Sequence, residues 1–284
     1  MSKYKLGLYE KAMPGTLSLS EKLEAAGEAG FDFMELSIDE TDEKIARLDW
    51  TPSEINNVRH FMEDTGLSIY SICLSGHRRF PLGDPDKAAQ KRGLEITEKA
   101  VSLAARLGVR IIQLAGYDVY YKESSETTRA FFAENLARSV ELAARSSVLL
   151  AFETMETPFI NTVEKAMYWV NKIASPYLAV YPDLGNITCA LNAGRQLVTA
   201  DLESGRGHIA AMHLKETKPG VFREVPYGEG HVDFETGIKT AWALGVRFFT
   251  GEFWWTKTTG DAWPSILREN AAFLRKKINI AAAP

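Results

Sequence analysis

The chain has 284 residues, 45% of them hydrophobic, 25% charged and 11% aromatic, with a formal charge of −4. These fractions fit an ordinary globular protein and exclude collagen, a disulfide scaffold and general disorder. The negative charge argues against a nucleic-acid surface, which needs a basic stripe, and the two distant cysteines, Cys73 and Cys189, read as buried thiols of a reducing cytoplasm.

From the N-terminus, MSKYKLGLYEK has no apolar signal-peptide segment, and no run of about 18 apolar residues follows that would span a membrane. The expected location is therefore the cytoplasm. One pattern then repeats to the end: a short apolar run, a polar loop and a longer helical segment. Strands are predicted over 4–10, 31–39, 67–75, 110–116, 148–156, 177–185, 208–216 and 247–255. Their length and β-branched content fit strands buried on both faces. Helices are predicted over 18–30, 51–66, 84–108 and 124–146, with weaker ones near 161–173, 190–204, 233–244 and 264–278. The segment 51–66 is the most fully signalled: Thr51 suits an N-cap, Pro52 the first helical position, Glu54 a capping box and Gly66 the stop.

No linker or composition break divides these units, so residues 1–284 read as one α/β domain. Alternating β and α leaves an open doubly wound sheet or a closed (β/α)8 TIM barrel. The count of about eight units and their even spread favour the single TIM barrel. LGLYEKAMPG, after the first strand, also lacks the glycine fingerprint of a dinucleotide fold.

In such a barrel the chemistry gathers where strands end. The predicted strands end in Glu10, Glu35, Gln113, Glu153 with Glu156, Asp183, His213 with Lys215, and Glu252. A lone acidic residue there is usually loop solvation. Four consecutive strands ending in Glu153, Asp183, His213 and Glu252 are different, because barrel closure brings them to one side of the mouth. Three adjacent carboxylates repel unless a cation neutralises them, and with one imidazole they suit Mn²⁺ or Zn²⁺. The competing reading is a hydrogen-bonded polar network without metal. Glu156 is balanced between gripping a substrate hydroxyl and serving as a loop carboxylate. Lys215 lies on the face of His213 and either polarises a substrate oxygen or forms a surface ion pair. His208 reads as structural, His60 as surface, and His231 as a loop residue open to either role.

A second cluster follows the third strand. SGHRRFPLGD (75–84) places His77, Arg78 and Arg79 in a loop that feeds a helix start near Asp84–Lys87, and Lys11 follows the first strand. A basic loop before a helix start is a phosphate site by its chemistry; the alternative is that the arginines pair with acidic neighbours. The glycine-rich VPYGEGHVDF (225–234) is by itself a turn signal. Tyr117, Tyr120, Tyr121, Trp254 and Trp255 follow strands and carry no individual assignment.

LGLYEKAMPG, FDFMELSIDETDEKIARLDW, CLSGHRRFPLG, IIQLAGYDVYY, YPDLGN, HLKETKPGVFREVPYGEGHVDF and the Glu252 strand together resemble the L-ribulose-5-phosphate 3-epimerases of L-ascorbate utilisation. These are also called L-xylulose-5-phosphate 3-epimerases and lie within the xylose-isomerase-like TIM barrels. The resemblance spans nearly the whole chain. It implies an isomerase, a ketose-phosphate 3-epimerase with a divalent metal held by Glu153, Asp183, His213 and Glu252. It implies phosphate binding near Lys11, His77, Arg78 and Arg79, and substrate contacts by Glu156 and Lys215 are expected beside them. For C3 inversion, Glu153 and Glu252 are expected as an acid/base pair on opposite faces of an enediolate that the metal stabilises. No nucleotide or redox cofactor is expected. The expected partner is a small-molecule sugar phosphate, with no nucleic acid or membrane, and a homodimer is compatible with the sequence. The rival activities are a metal-dependent aldose–ketose isomerase on a pentulose or hexulose phosphate, an apurinic endonuclease and a sugar-binding module. Five histidines and the −4 charge count against the endonuclease.

Overall fold

Eight parallel strands form one sheet in the computed structural model of the chain, which describes residues 3–192 and 194–283. Residues 1, 2, 193 and 284, which the one-domain reading also spans, lie outside the described residues, as does residue 193 of the helix expected over 190–204. The strands are β1 (Lys5–Tyr9), β2 (Phe33–Ile38), β3 (Ser68–Leu74), β4 (Ile111–Ala115), β5 (Leu149–Glu153), β6 (Leu178–Tyr181), β7 (Met212–Leu214) and β8 (Phe248–Gly251). They run β6-β5-β4-β3-β2-β1-β8-β7. Parallel bridges Val180↔Ile209 and Asp183↔His213 bring β6 back to β7 and close the ring. The seam is thin for a reason: Pro182 has no N–H to donate, and Asp183 already turns into a helix cap. The strands expected over 177–185 and 208–216 shorten accordingly.

The helices wrap the ring as α1 (Leu19–Glu28), α2 (Asp42–Ala46), α3 (Pro52–Thr65), α4 (Lys87–Leu107), α5 (Glu126–Arg145), α6 (Val163–Ile173), α7 (Leu184–Ala190), α8 (Arg195–Ser204), α9 (Phe234–Ala243) and α10 (Trp263–Ala281). The α3 signals act as expected: Thr51 and Glu54 form a capping box and Gly66 adopts φ 67°. The helix expected over 190–204 forms later, as α8; α7 is an additional helix that begins inside the strand expected over 177–185, and α2 is an addition in a stretch read as loop.

Alternation within the strands positions the site. Side chains two residues apart share a face. The series Phe248–Thr250–Glu252, Ala211–His213–Lys215, Ala179–Tyr181–Asp183 and Leu149–Ala151–Glu153 thus each climb from an apolar base to a polar top. Ile111, Ala151, Ala179, Tyr181 and Ala211 pack together inside the ring, with Tyr70 and Phe248 against them. Tyr70 and Phe248 stack at 4.1 Å, and Phe33 leans on both. Gly7 makes room for this plug, since a Cβ there would sit 2.0 Å from the Phe33 ring. The larger apolar core lies between the ring and the helices.

Candidate metal centre and active site

The four sequence-predicted ligands arrive from four consecutive strands. Glu153 is the last residue of β5, His213 the middle of β7, and Glu252 follows β8. Asp183 is the N-cap of α7: its Oδ1 accepts from Asn186 N at 2.6 Å. One ligand atom from each lies within 4.8 Å of all the others, and all four residues are buried. His213 Nδ1 is 3.2 Å from Glu153 Oε1, 3.2 Å from Glu252 Oε2 and 3.9 Å from Asp183 Oδ2. Lys215 joins them from the same face of β7. Its Nζ lies 3.4 Å from Asp183 Oδ2 and 3.2 Å from Glu252 Oε2. It is buried, which removes the surface ion-pair reading.

Three carboxylates share this buried space with one imidazole and one ammonium. Burial, reinforced by the Glu252 charge, raises the Glu153 carboxyl above its ordinary range. Burial raises Asp183 well above its own, with Lys215 opposing it. Glu252 is held well below the carboxylate range, against burial, by the charges of Lys215 and His213. Against burial too, Glu35 and Glu252 hold His213 well above the imidazole range. Asp183 Oδ2 and Glu252 Oε2 are buried without a well-aligned hydrogen-bond donor, although an unmet buried acceptor is costly. Three carboxylate oxygens and one imidazole nitrogen fit a divalent cation of the manganese or zinc type, and two of those oxygens, Asp183 Oδ2 and Glu252 Oε2, lack an aligned donor.

Around the mouth the remaining candidates fall into place unequally. Glu156 is half-buried and its Oε1 accepts from Tyr120 OH at 2.9 Å and Arg223 Nη2 at 3.1 Å. The Arg78 guanidinium lies 4.6 Å over the Tyr120 ring and 3.6 Å from Glu40, with its Nε buried and unpartnered. Arg223 and Lys215 both flank Trp254, at 5.7 Å. Side-chain contacts thus run from Arg78 to the four-ligand cluster. Lys11 pairs with Asp39 at 2.5 Å, and exposed Arg79 pairs with Asp42 at 2.7 Å.

His77 has a different place from the expected one. It is buried, and its Nε2 lies 3.1 Å from both Gly93 O and Thr97 Oγ1. Burial lowers its pKa to about 4, so the ring is neutral at pH 7. It fastens the β3–α4 loop to α4 and carries no charge toward an anion. The start of α4 is also less open than expected: Asp86 caps Ala88 N at 2.9 Å, and Asp84 pairs with Lys122 at 2.8 Å. Arg78, Arg79, Tyr120, Tyr121 and Lys122 border a cavity of about 410 Å³ beside it.

The other histidines lie outside the centre. His60 is exposed and pairs with Glu63, His208 is exposed at the β7 entry, and His231 meets Thr217 Oγ1 at 3.0 Å and Cys189 Sγ at 3.5 Å. The glycine-rich loop is braced by Glu216, which accepts from Thr217, Gly228 and Val232 N–H groups. A Cβ at Gly230 would lie 2.2 Å from the Glu216 carboxylate.

Sequence reasoning gives Glu35 and Glu10 no role beyond a strand end. Glu35 Oε1 is 2.7 Å from His213 Nε2. The signal for it is a carboxylate flanked by apolar residues within FDFMELSID, a place that demands a partner. Glu10 instead collects Lys22, Lys44 and Arg47 in a separate buried cluster.

A family model described as a xylose isomerase-like TIM barrel matches residues 23–277. The L-ribulose-5-phosphate 3-epimerase UlaE of Shigella boydii serotype 18 is 44% identical over 266 residues, covering 93% of this chain and 91% of that protein. Among solved structures, one of L-ribulose 3-epimerase superposes with a TM-score of 0.75 at 19% identity, over 98% of this chain and 95% of that one. A xylose isomerase-like TIM barrel protein from Mycobacterium smegmatis in complex with magnesium gives 0.74 at 17% identity, over 99% and 98%. At those identities the two structures speak for the fold.

Proposed function

This chain belongs to the xylose isomerase-like TIM barrel family, with L-ribulose-5-phosphate 3-epimerases as its relatives, and on that premise we propose that it inverts C3 of a pentulose 5-phosphate, interconverting L-xylulose 5-phosphate and L-ribulose 5-phosphate. It is an enzyme of the epimerase class. The observation that carries the reading is the convergence of Glu153, Asp183, His213 and Glu252, with two buried carboxylate oxygens that have no aligned hydrogen-bond donor.

Inversion beside a ketone removes the weakly acidic C3 proton and returns a proton to the opposite face. Glu153 ends β5 and Glu252 follows β8, with β6 and β7 between them, and the two act as the bases, one removing and the other delivering the proton. Asp183 and His213 complete the donor set that would hold the cation. A divalent cation held there, manganese or zinc by its donors, would supply Lewis-acid stabilisation of developing negative charge. Lys215, a buried ammonium against the same carboxylates, adds a positive charge from the protein side. Glu156, held by Tyr120 and Arg223, accepts from a substrate hydroxyl. Lys11, Arg78 and Arg79 bind the phosphate, and His77 keeps the Arg78–Arg79 loop seated on α4. Remote phosphate binding aligns C3 between the glutamates.

Residues 1–284 act as one barrel domain on a small-molecule substrate in the cytoplasm, within L-ascorbate utilisation; the sequence resemblance supports that setting. Among the described residues no helix is long and apolar enough to cross a membrane. The test is turnover of L-xylulose 5-phosphate in deuterated water with metal content measured on the same sample. Deuterium at C3 of the product supports the epimerase, whereas label at C1 or C2 makes the enzyme an aldose–ketose isomerase.

A further inference from the structure

The second nitrogen of His213 has a dedicated partner across the barrel. Glu35 is fully buried on β2, and its Oε1 lies 2.7 Å from His213 Nε2, while Nδ1 faces Glu153, Asp183 and Glu252. We propose that Glu35 is the positioning residue of the cation centre: by accepting from Nε2–H it fixes the ring so that the Nδ1 lone pair is presented to the cation. This rests on the reading of the cluster as a cation site.

Three features of the fold build this contact. The β2–β3 ladder shifts register between Met34 and Glu35, so that Met34 pairs with Ile69 but Glu35 with Ser71. Such bulges re-aim side chains beside sites. The shift sets Ser71 Oγ 2.6 Å from Glu35 Oε2, which pins one carboxylate oxygen and leaves the other for the imidazole. The Tyr181 ring then meets the His213 ring edge-on at 4.9 Å, itself held by a 2.8 Å hydrogen bond to Thr250. Ring rotation is thus resisted on one side and the nitrogen assignment is set on the other. A purely structural role explains the carboxylate poorly. Burying an ion pair gives the fold little net stability over well-packed apolar residues, whereas a carboxylate on the far nitrogen orients a ligating histidine and raises its basicity.

The experiment uses the full chain, stripped with chelator, and measures Zn²⁺ and Mn²⁺ affinity by competition with a chromogenic chelator. Glu35→Ala is expected to weaken binding by about 100-fold and the isosteric Glu35→Gln by about 10-fold. In the zinc-loaded wild type, the His213 Nε2–H is expected as an exchange-protected proton resonance that Glu35→Ala loses. Thermal unfolding verifies that each variant folds, and Glu35→Gln decides alone if Glu35→Ala does not. Folded variants that bind within about twofold of wild type overturn the positioning role and leave the cation centre intact. A wild type that binds neither metal overturns the centre and this inference with it.

Discussion

Two buried charged clusters sit at strand ends of the same barrel and resolve their charges in opposite ways. At the end of β1, one carboxylate faces three cations: Glu10 Oε1 lies 3.0 Å from Lys22 and from Lys44, and Arg47 grips both oxygens at 2.6 and 2.8 Å. Ser37 N adds a further donor to Oε2. Against burial, Arg47 leads these cations in holding Glu10 well below the carboxylate range. At the ends of β5 to β8, three carboxylates face one imidazole and one ammonium, and two of their oxygens have no aligned donor. A glutamate at a strand end therefore says little by itself. Whether its oxygens are already satisfied separates a structural lock from a site that needs a further charge.

The largest expected effect falls on the unsatisfied cluster. Glu153→Gln and Glu252→Gln should each lower kcat by about 10²–10⁴-fold while the fold survives, measured with metal content on the same protein. Near-normal turnover in a metal-loaded variant would remove that residue from the acid/base pair. The mirror experiment breaks the saturated cluster. Glu10→Ala leaves buried Lys22 and half-buried Lys44 and Arg47 without their carboxylate and should cost ~3 kcal/mol in denaturant unfolding. A loss below ~1 kcal/mol would mean that the cluster is not locked.

His77 sharpens the contrast as a buried group that stays uncharged. Its folded pKa of about 4 lies below the unfolded value, so the stability it contributes is present above pH ~6.5 and is lost as pH falls toward 4. The expected loss is ~3 kcal/mol across that window, and His77→Asn should flatten this part of a stability–pH curve. An unchanged slope would show that His77 accepts a proton without penalty. The smallest effect concerns the phosphate. Arg78→Ala should raise KM for the phosphorylated ketose by about tenfold, or ~1.4 kcal/mol, and leave weak activity on the unphosphorylated ketose nearly unchanged. Equal losses on both substrates would make Arg78 a support of the loop.

The barrel and its ring of strand-end ligands were legible because both follow from periodicity. Buried strands alternate by two, so Glu153, His213 and Glu252 occupy inward positions that a reader can count. What escaped depends on partners distant in sequence. His77 reads as a loop cation until Gly93 and Thr97 enclose it. Lys215 reads equally well as surface until the seam buries it. Glu35 needs a bulge and a histidine 178 residues away to acquire meaning. The early end of β6 arises where Asp183 caps α7. That local choice competes with a strand signal in YLAVYPDLG.

The central claim is that the β5–β8 cluster is completed by a divalent cation. The direct measurement is thermal unfolding of the chelator-stripped protein against rising Mn²⁺ or Zn²⁺, with Asp183→Asn alongside. Asparagine keeps the helix cap and removes the ligand charge. The wild-type Tm should rise with cation concentration, corresponding to ~2.7 kcal/mol at a hundredfold excess over Kd. Asp183→Asn should start at or above the wild-type Tm without cation and respond far less. A wild-type Tm that does not move with either cation would contradict the claim.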